Sequence, residues 1–244
     1  MNAGTSIHEG SNGLSDPNGH GTRLAGIAAA ETGNATGIAG VGYAGVNLMP
    51  VTVLAADGTG SDSDIIAGVV YAADRGADVI LMGFSNPGYS QALQDAVNYA
   101  WSSGAVLVAA TGNGGSSSPT YPAGMAGVMG VSSTTPSDTL AAGSNFGDAV
   151  FIAAPGTDMY ATSSGGGYTR ISGTSAAAAT IAGAAALLEA SSGASNGVIA
   201  HRLAANADPA GTAAQTGNGR VNLYRSLTDT STSSIKPAAA PGGG

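Results

Sequence analysis

Short apolar runs alternate with helix-length segments along most of this chain, and that alternation narrows the possible folds more than any other feature. The runs at 48–54, 78–82 and 105–110 are nearly continuous in Val, Leu, Ile, Met and Ala, the pattern of strands buried on both faces. Between them, 62–74 and 91–103 are long enough for helices, and the first carries Asp62 and Asp64 where the positive end of a helix dipole would lie. Strand, helix, strand, helix, strand is the signature of an α/β fold. It predicts three layers: a mostly parallel sheet with helices on both faces, joined by crossover connections. Further strands are expected at 127–132 and 150–154, and further helices at 20–30, 174–190 and 196–206. Residues 1–19, rich in Gly, Ser and Asn, read as loop, as does 31–42, and 229–244 reads as a disordered Ser/Thr/Pro/Gly tail to a single domain over 1–228.

Composition removes several function classes. Gly fills 40 of 244 positions, but without a period and between apolar blocks, so the chain is neither collagen-like nor low-complexity. The formal net charge is −8 and Lys236 is the only lysine, so no basic stripe is present to meet nucleic acid or an anionic membrane surface. Cys is absent, which removes disulfides, thiolate catalysis and Cys-ligated metals. The Ala-rich run 176–188 is too short to cross a bilayer, and 1–19 lacks the basic start and apolar core of a signal peptide.

In open α/β sheets ligands gather beyond the carboxyl ends of the strands, which directs attention to the loops after Leu54, Met82, Ala110 and Ala154. The segments Gly83-Phe84-Ser85-Asn86 and Thr111-Gly112-Asn113-Gly114 both could bring backbone groups to a ligand. Of three His residues, His20 is flanked by glycines at a predicted helix start. A lone His is more often structural than catalytic. Ser175 opens the Ala-rich helix, where a serine ordinarily acts as a cap, but where the helix dipole and free N–H groups also suit a nucleophile and its oxyanion. Asn113 is by position a turn residue, and its amide is also a candidate oxyanion donor.

Taken together, these segments resemble the subtilisin-like serine proteases, the subtilase family. Asn18-Gly19-His20-Gly21-Thr22 is similar to the family's histidine motif, Ala109-Ala110-Thr111-Gly112-Asn113-Gly114 to its oxyanion segment, and Gly173-Thr174-Ser175 to the start of its serine motif. With Met49-Pro50-Val51, Ala154-Pro155-Gly156 and Gly217-Asn218-Gly219-Arg220-Val221-Asn222, the likeness covers about 14–227. It implies peptide-bond hydrolysis through an acyl-enzyme, with Ser175 as nucleophile, His20 as general base and Asn113 as oxyanion donor. It implies a polypeptide substrate pairing with Gly83, Phe84 and Ser85, and a specificity pocket walled by Ala110, Thr111 and Gly112. No cofactor is required for that chemistry. The resemblance further implies a secreted protein and a structural calcium near Asn34, in the loop 31–38.

The match also has gaps. The family's triad Asp precedes the His at the end of the first strand, and here the only Asp before His20 is Asp16, four residues away, with no strand predicted ahead of it. The domain therefore reads as N-terminally incomplete, and a missing strand predicts self-association through an unpaired sheet edge. Arg23 stands where the family usually has a second His, and Ala179-Thr180 where it has Pro-His. Two functions follow from these residues: a serine endopeptidase with impaired activity, or a catalytically inactive subtilase-like binding or structural module.

Overall fold

The crossover helices begin where the sequence supplies caps. Ser61 accepts from the Asp64 N–H at 3.2 Å ahead of one helix, and Ser90 from the Leu93 N–H at 3.3 Å ahead of the next. The computed structural model describes residues 5–8 and 13–240. In chain order it runs β1 (Thr5–Ser6), α1 (His20–Ala29), β2 (Val51–Thr52), α2 (Asp62–Asp74), β3 (Val79–Met82), α3 (Gln91–Ser102), β4 (Val106–Ala110), β5 (Val128–Thr134), β6 (Ile152–Pro155), β7 (Met159–Thr162), β8 (Tyr168–Ile171), α4 (Thr174–Ser192), α5 (Asn196–Ala205), α6 (Ala213–Thr216) and α7 (Leu223–Thr228).

Strands β3, β4, β5 and β6 form one parallel sheet in that order. Alternation along β4 builds the layers: Val106, Val108 and Ala110 pack with α4 and α5, while Leu107 and Ala109 pack with α2 and α3. The expected three-layer α/β arrangement is therefore present. Helix α4 is the centre of one layer and is buried from Thr174 to Ala185 and again at Leu188. Its small side chains let other backbones come close. A Cβ at Gly183 would lie 2.8 Å from the Ala28 carbonyl oxygen of α1 and 2.9 Å from Val41 Cβ.

Several expectations change. A strand, β1, lies within the predicted loop 1–19 and pairs in parallel with β2, Thr5 opposite Val51. The predicted strand 48–54 contracts to Val51–Thr52, because β1 offers it only two partners. The antiparallel hairpin of β7 and β8 was not expected; Tyr160 and Tyr168 are exposed on it, so it has no apolar run, and Gly165, Gly166 and Gly167 turn it at positive φ. The tail is not free over 229–240. Ile235 N–H donates to Gly197 C=O at 3.0 Å, Pro237 C=O accepts from Gly127 N–H at 2.9 Å, and Ala240 N–H donates to Gly124 C=O at 2.9 Å. These bonds, with Ala240 only 2% exposed, replace the disordered tail by an extended strap; 241–244 lie outside the described residues. No single described helix is long and apolar enough to cross a membrane.

Gly183→Ala tests the close approach of α1 to α4. Ala favours a helix interior by about 1 kcal/mol, but backbone atoms of α1 and of the segment after it stand where the methyl must go, and overpacking costs roughly 1–3 kcal/mol. The steric loss is expected to win, lowering Tm in calorimetry; an equal or higher Tm would show that the two helices can separate freely.

Candidate active site

Helix α4 starts without a side-chain cap, after Gly173 at φ 136°. That glycine makes room for a polar neighbour: a Cβ there would meet Asn113 Oδ1 at 3.0 Å. Thr174 donates to Asn113 Oδ1 through its N–H at 2.9 Å and its hydroxyl at 3.2 Å. With Oδ1 held by Thr174, the Nδ2 donors of Asn113 have no protein partner among the described residues. Thr174 precedes Ser175, so Asn113 is fixed beside the candidate nucleophile.

Ser175 is 9% exposed and donates its hydroxyl to the Gly83 carbonyl at 2.8 Å. Gly83 also faces α1: a Cβ on it would lie 3.5 Å from His20 Cε1 and 2.3 Å from Leu24 Cδ1. The residue just past β3 thus brings Ser175 of α4 and His20 of α1 to one place, and Leu24 fills the volume a side chain at 83 would need. No hydrogen bond joins Ser175 to His20. The three residues singled out in the sequence do converge, with the serine proton resting on a backbone oxygen.

The charges around His20 favour the neutral ring. Burial holds its pKa below the usual imidazole value and the Arg23 guanidinium lowers it further, while Asp16 acts weakly in the opposite direction. Asp16 is not a triad acid in this arrangement. Its Oδ1 accepts from Gly19 N–H at 2.8 Å, and its Oδ2 from the Thr22 N–H and hydroxyl, both at 2.7 Å. Burial alone would raise the Asp16 carboxyl, but these bonds outweigh it and hold the group below the usual carboxylate range.

The expected substrate residues divide into two kinds. Backbone groups of Phe84 and Ser85 form no backbone hydrogen bond, until Asn86 bridges to Tyr121 in both directions at 2.8 and 2.7 Å. Ala110 and Thr111 are 2% and 1% exposed, so their side chains offer almost no open surface. The Thr111 hydroxyl donates to Val131 C=O at 3.0 Å, and Gly112 N–H donates to the Thr174 hydroxyl at 3.1 Å. Sequence reasoning missed Asn145. Buried in a Gly/Ser-rich segment, its Nδ2 donates to Thr111 C=O at 2.8 Å and its Oδ1 accepts from Gly114 N–H at 2.9 Å and Ser116 N–H at 3.1 Å, bracing the loop on both sides of Asn113. Nothing local in the sequence marks it.

A calcium near Asn34 would draw on the oxygens of the loop 31–38. Asn34 Oδ1 accepts from Thr36 N–H at 3.1 Å, and among the described residues no three His, Asp or Glu side chains gather to hold a metal. Calcium takes about six to eight oxygens, backbone and Asn carbonyls among them.

A three-layer α/β fold gathers Ser, His and a pinned Asn at the carboxyl end of its sheet, where open α/β folds bind their ligands. The profile of the Subtilase family matches residues 2–230, and the chain belongs to that family. It is 44% identical over 214 residues to the thermophilic serine proteinase of Bacillus sp. (strain AK1), covering 87% of this chain and 53% of that protein. It is 43% identical to thermitase of Thermoactinomyces vulgaris over 86% of this chain and 75% of the relative. A solved protease structure from Pseudoalteromonas arctica PAMC 21717 superposes with a TM-score of 0.79 at 32% identity, covering 85% of this chain and 70% of that one. The chain thus spans about half the length of the first relative and three quarters of the second.

The electrostatics at His20 can be read directly. Arg23→Gln is expected to raise the His20 pKa, by removing a cation, and Asp16→Asn to lower it, by removing an anion. An imidazole titration by NMR checks both signs; a His20 pKa unmoved in Arg23→Gln would leave burial as the sole cause.

Proposed function

We propose that this chain is a serine endopeptidase. Ser175 attacks the peptide carbonyl carbon as His20 takes its hydroxyl proton, and Asn113 Nδ2 donates to the oxyanion. His20 then passes the proton to the leaving amine, and water cleaves the acyl-enzyme by the same route in reverse. Substrate runs as an extended strand along Phe84 and Ser85, whose backbone groups are unpaired. The observation that carries this reading is the convergence at Gly83: the Ser175 hydroxyl and the His20 ring meet there, while Thr174 turns the Asn113 donors free. The relatives named as serine proteinases support the same chemistry, and secretion belongs to the same proposal.

A serine–histidine pair without a carboxylate on its base turns over slowly. No carboxylate accepts from the His20 ring among the described residues, and removing the triad acid alone from a subtilisin lowers kcat by about 3 × 10⁴, about 6 kcal/mol. A second reading, an inactive binding module on the same fold, is favoured by the Ser175 proton lying on Gly83 rather than on His20.

A fluorophosphonate separates the two, since it needs an activated serine but no particular peptide. Intact-mass analysis is expected to show one adduct, absent in Ser175→Ala and His20→Ala, and formed more slowly by roughly 10²–10³ in Asn113→Ala if that donor meets the oxyanion. The labelling rate should rise with pH through the lowered His20 pKa, as the base loses its proton. A folded chain that takes no adduct belongs to the second reading.

A further inference from the structure

The strap at 229–240 is fastened to two parts of the molecule with different tasks. Its first half is tied to α5: Asp229 accepts from Asn206 Nδ2 at 2.6 Å, and the Ser231 C=O accepts from Nε of the buried Arg202 at 3.0 Å. Ile235 then packs against the core that α4 and α5 form with the sheet. The second half leaves α5 and runs antiparallel to the loop 120–127, with Pro237 bonded to Gly127 and Ala240 to Gly124. Gly127, at φ 91°, leaves room for this crossing, since a Cβ there would lie 3.0 Å from Lys236 Cε. The strap lies almost wholly beyond residue 230, where the match to the family ends, so the shared fold does not account for it.

The loop it grips joins the two segments expected to meet substrate. Asn86 N–H donates to Tyr121 C=O at 2.8 Å and Tyr121 N–H to Asn86 C=O at 2.7 Å, so Tyr121 fixes the end of the segment 84–86. Thr120 donates its hydroxyl to the Thr111 C=O at 2.6 Å, so the neighbouring residue fixes the segment that carries Asn113. The Tyr121 ring is buried and meets the Tyr89 ring edge to face, with centroids 5.2 Å apart. A Cβ at Gly124 would lie 3.3 Å from Tyr121 Cε1 and 3.3 Å from Ala240 Cβ, so the Ala240 methyl and the Tyr121 ring close over the same spot. Gln94 of α3 also holds this loop, through both the N–H and the C=O of Ala126. That pair acts at residue 126; Ala240 acts at 124, nearer the two segments.

We propose that the strap is a positioning element of the substrate site: seated on Gly124, it holds the loop 120–127 and so sets the spacing between 84–86 and 111–113. The effect on substrate rests on the peptidase reading, whereas the mechanical link between strap and loop does not. An extended substrate needs both segments in register. Ser175 and His20 are held separately, by α4 and α1.

Ala240→Asp puts a carboxylate where the residue is 2% exposed and should drive the end of the strap off the loop. Ala238→Asp adds the same charge at an exposed position of the strap, and Ala240→Gly keeps the N–H that meets Gly124; both should behave as the parent chain. In Ala240→Asp, KM for unfolded casein is expected to rise at least about fivefold, with kcat and the rate of fluorophosphonate labelling unchanged. An unchanged KM would overturn the proposal, and so would an equal loss of labelling, which signals general loosening. Amide exchange by NMR tests the link without peptidase activity. The Asn86 and Tyr121 amides are expected to exchange at least roughly tenfold faster in Ala240→Asp than in the two controls, while Val108, enclosed in β4, keeps its rate. Asn86 and Tyr121 amides that do not change would sink the link. If the parent chain neither takes the fluorophosphonate nor cleaves casein, the peptidase reading falls and exchange alone decides about the strap. Should Ala240→Asp fail to fold, the parent chain decides: with rising denaturant, the Gly127 and Ala240 amides should open together with those of Asn86 and Tyr121. Asn86 and Tyr121 amides that stay closed after the other two have opened would overturn the proposal.

Discussion

Everything at this site depends on burying a helix that has almost no polar face. Helix α4 is occupied by Ala at most positions from Ala176 to Ala185, and its fully enclosed Ile181 and Leu188 key it against the sheet. Dispersion and apolar burial act on every side of it, and alanine-sized side chains bring its axis close to α1 and to the strands. Its one mid-helix hydroxyl, on Thr180, is satisfied internally by the Ala176 carbonyl at 3.2 Å. The position of Ser175 is thereby a property of the core. A serine on a loop would have several orientations; one on the first turn of a fully packed helix has few.

The segment around Asn113 is held in a different way, by polar bonds instead of packing. Residues 111–116 leave β4 and turn back, and Asn145 supplies one donor and one doubly used acceptor to them, with its own N–H bonded to Gly112 C=O at 2.9 Å. A Cβ at Gly112 would stand 2.6 Å from Asn145 Nδ2, so the glycine and the buried asparagine require each other. Buried polar networks of this kind are worth most when every member is satisfied. Thr174 joins the two systems, since its hydroxyl accepts from Gly112 N–H and donates to Asn113 Oδ1. The core-held helix and the bond-held loop are locked at one residue.

How much of this was legible in the sequence follows from what kind of force sets each part. The buried strands β3, β4 and β5 and helices α2, α3 and α4 appear nearly at their predicted bounds, because apolar periodicity and Ser caps are local signals. The β1–β2 pair and the strap at 229–240 do not, because their partners are remote: Thr5 meets Val51 and Ala240 meets Gly124; the hairpin β7–β8 is local but carries no apolar run to mark it. At the site, Ser175, His20 and Asn113 could be found through motifs flanked by glycines that permit close approach. Asn145 could not, since its role is a set of bonds to residues about thirty positions away.

The electrostatic balance at His20 brings these parts together. For a His at this position to act as a base it must be neutral at rest, and burial with Arg23 nearby lowers the His20 pKa in that direction. The same two causes disfavour the imidazolium that must form in the next instant, and the acid that could offset them, Asp16, has its carboxylate saturated by Gly19 and Thr22. Ser175 meanwhile has a stable acceptor in Gly83, so the resting state is stabilised at both ends of the proton path. Local rules are broken where α4 begins without a cap and where β2 and β3 stand unjoined. Such breaks gather at functional sites in folds that are otherwise consistent from propensity to packing. Both lie near Gly83, the residue just past β3, whose carbonyl accepts a hydrogen bond from the Ser175 hydroxyl.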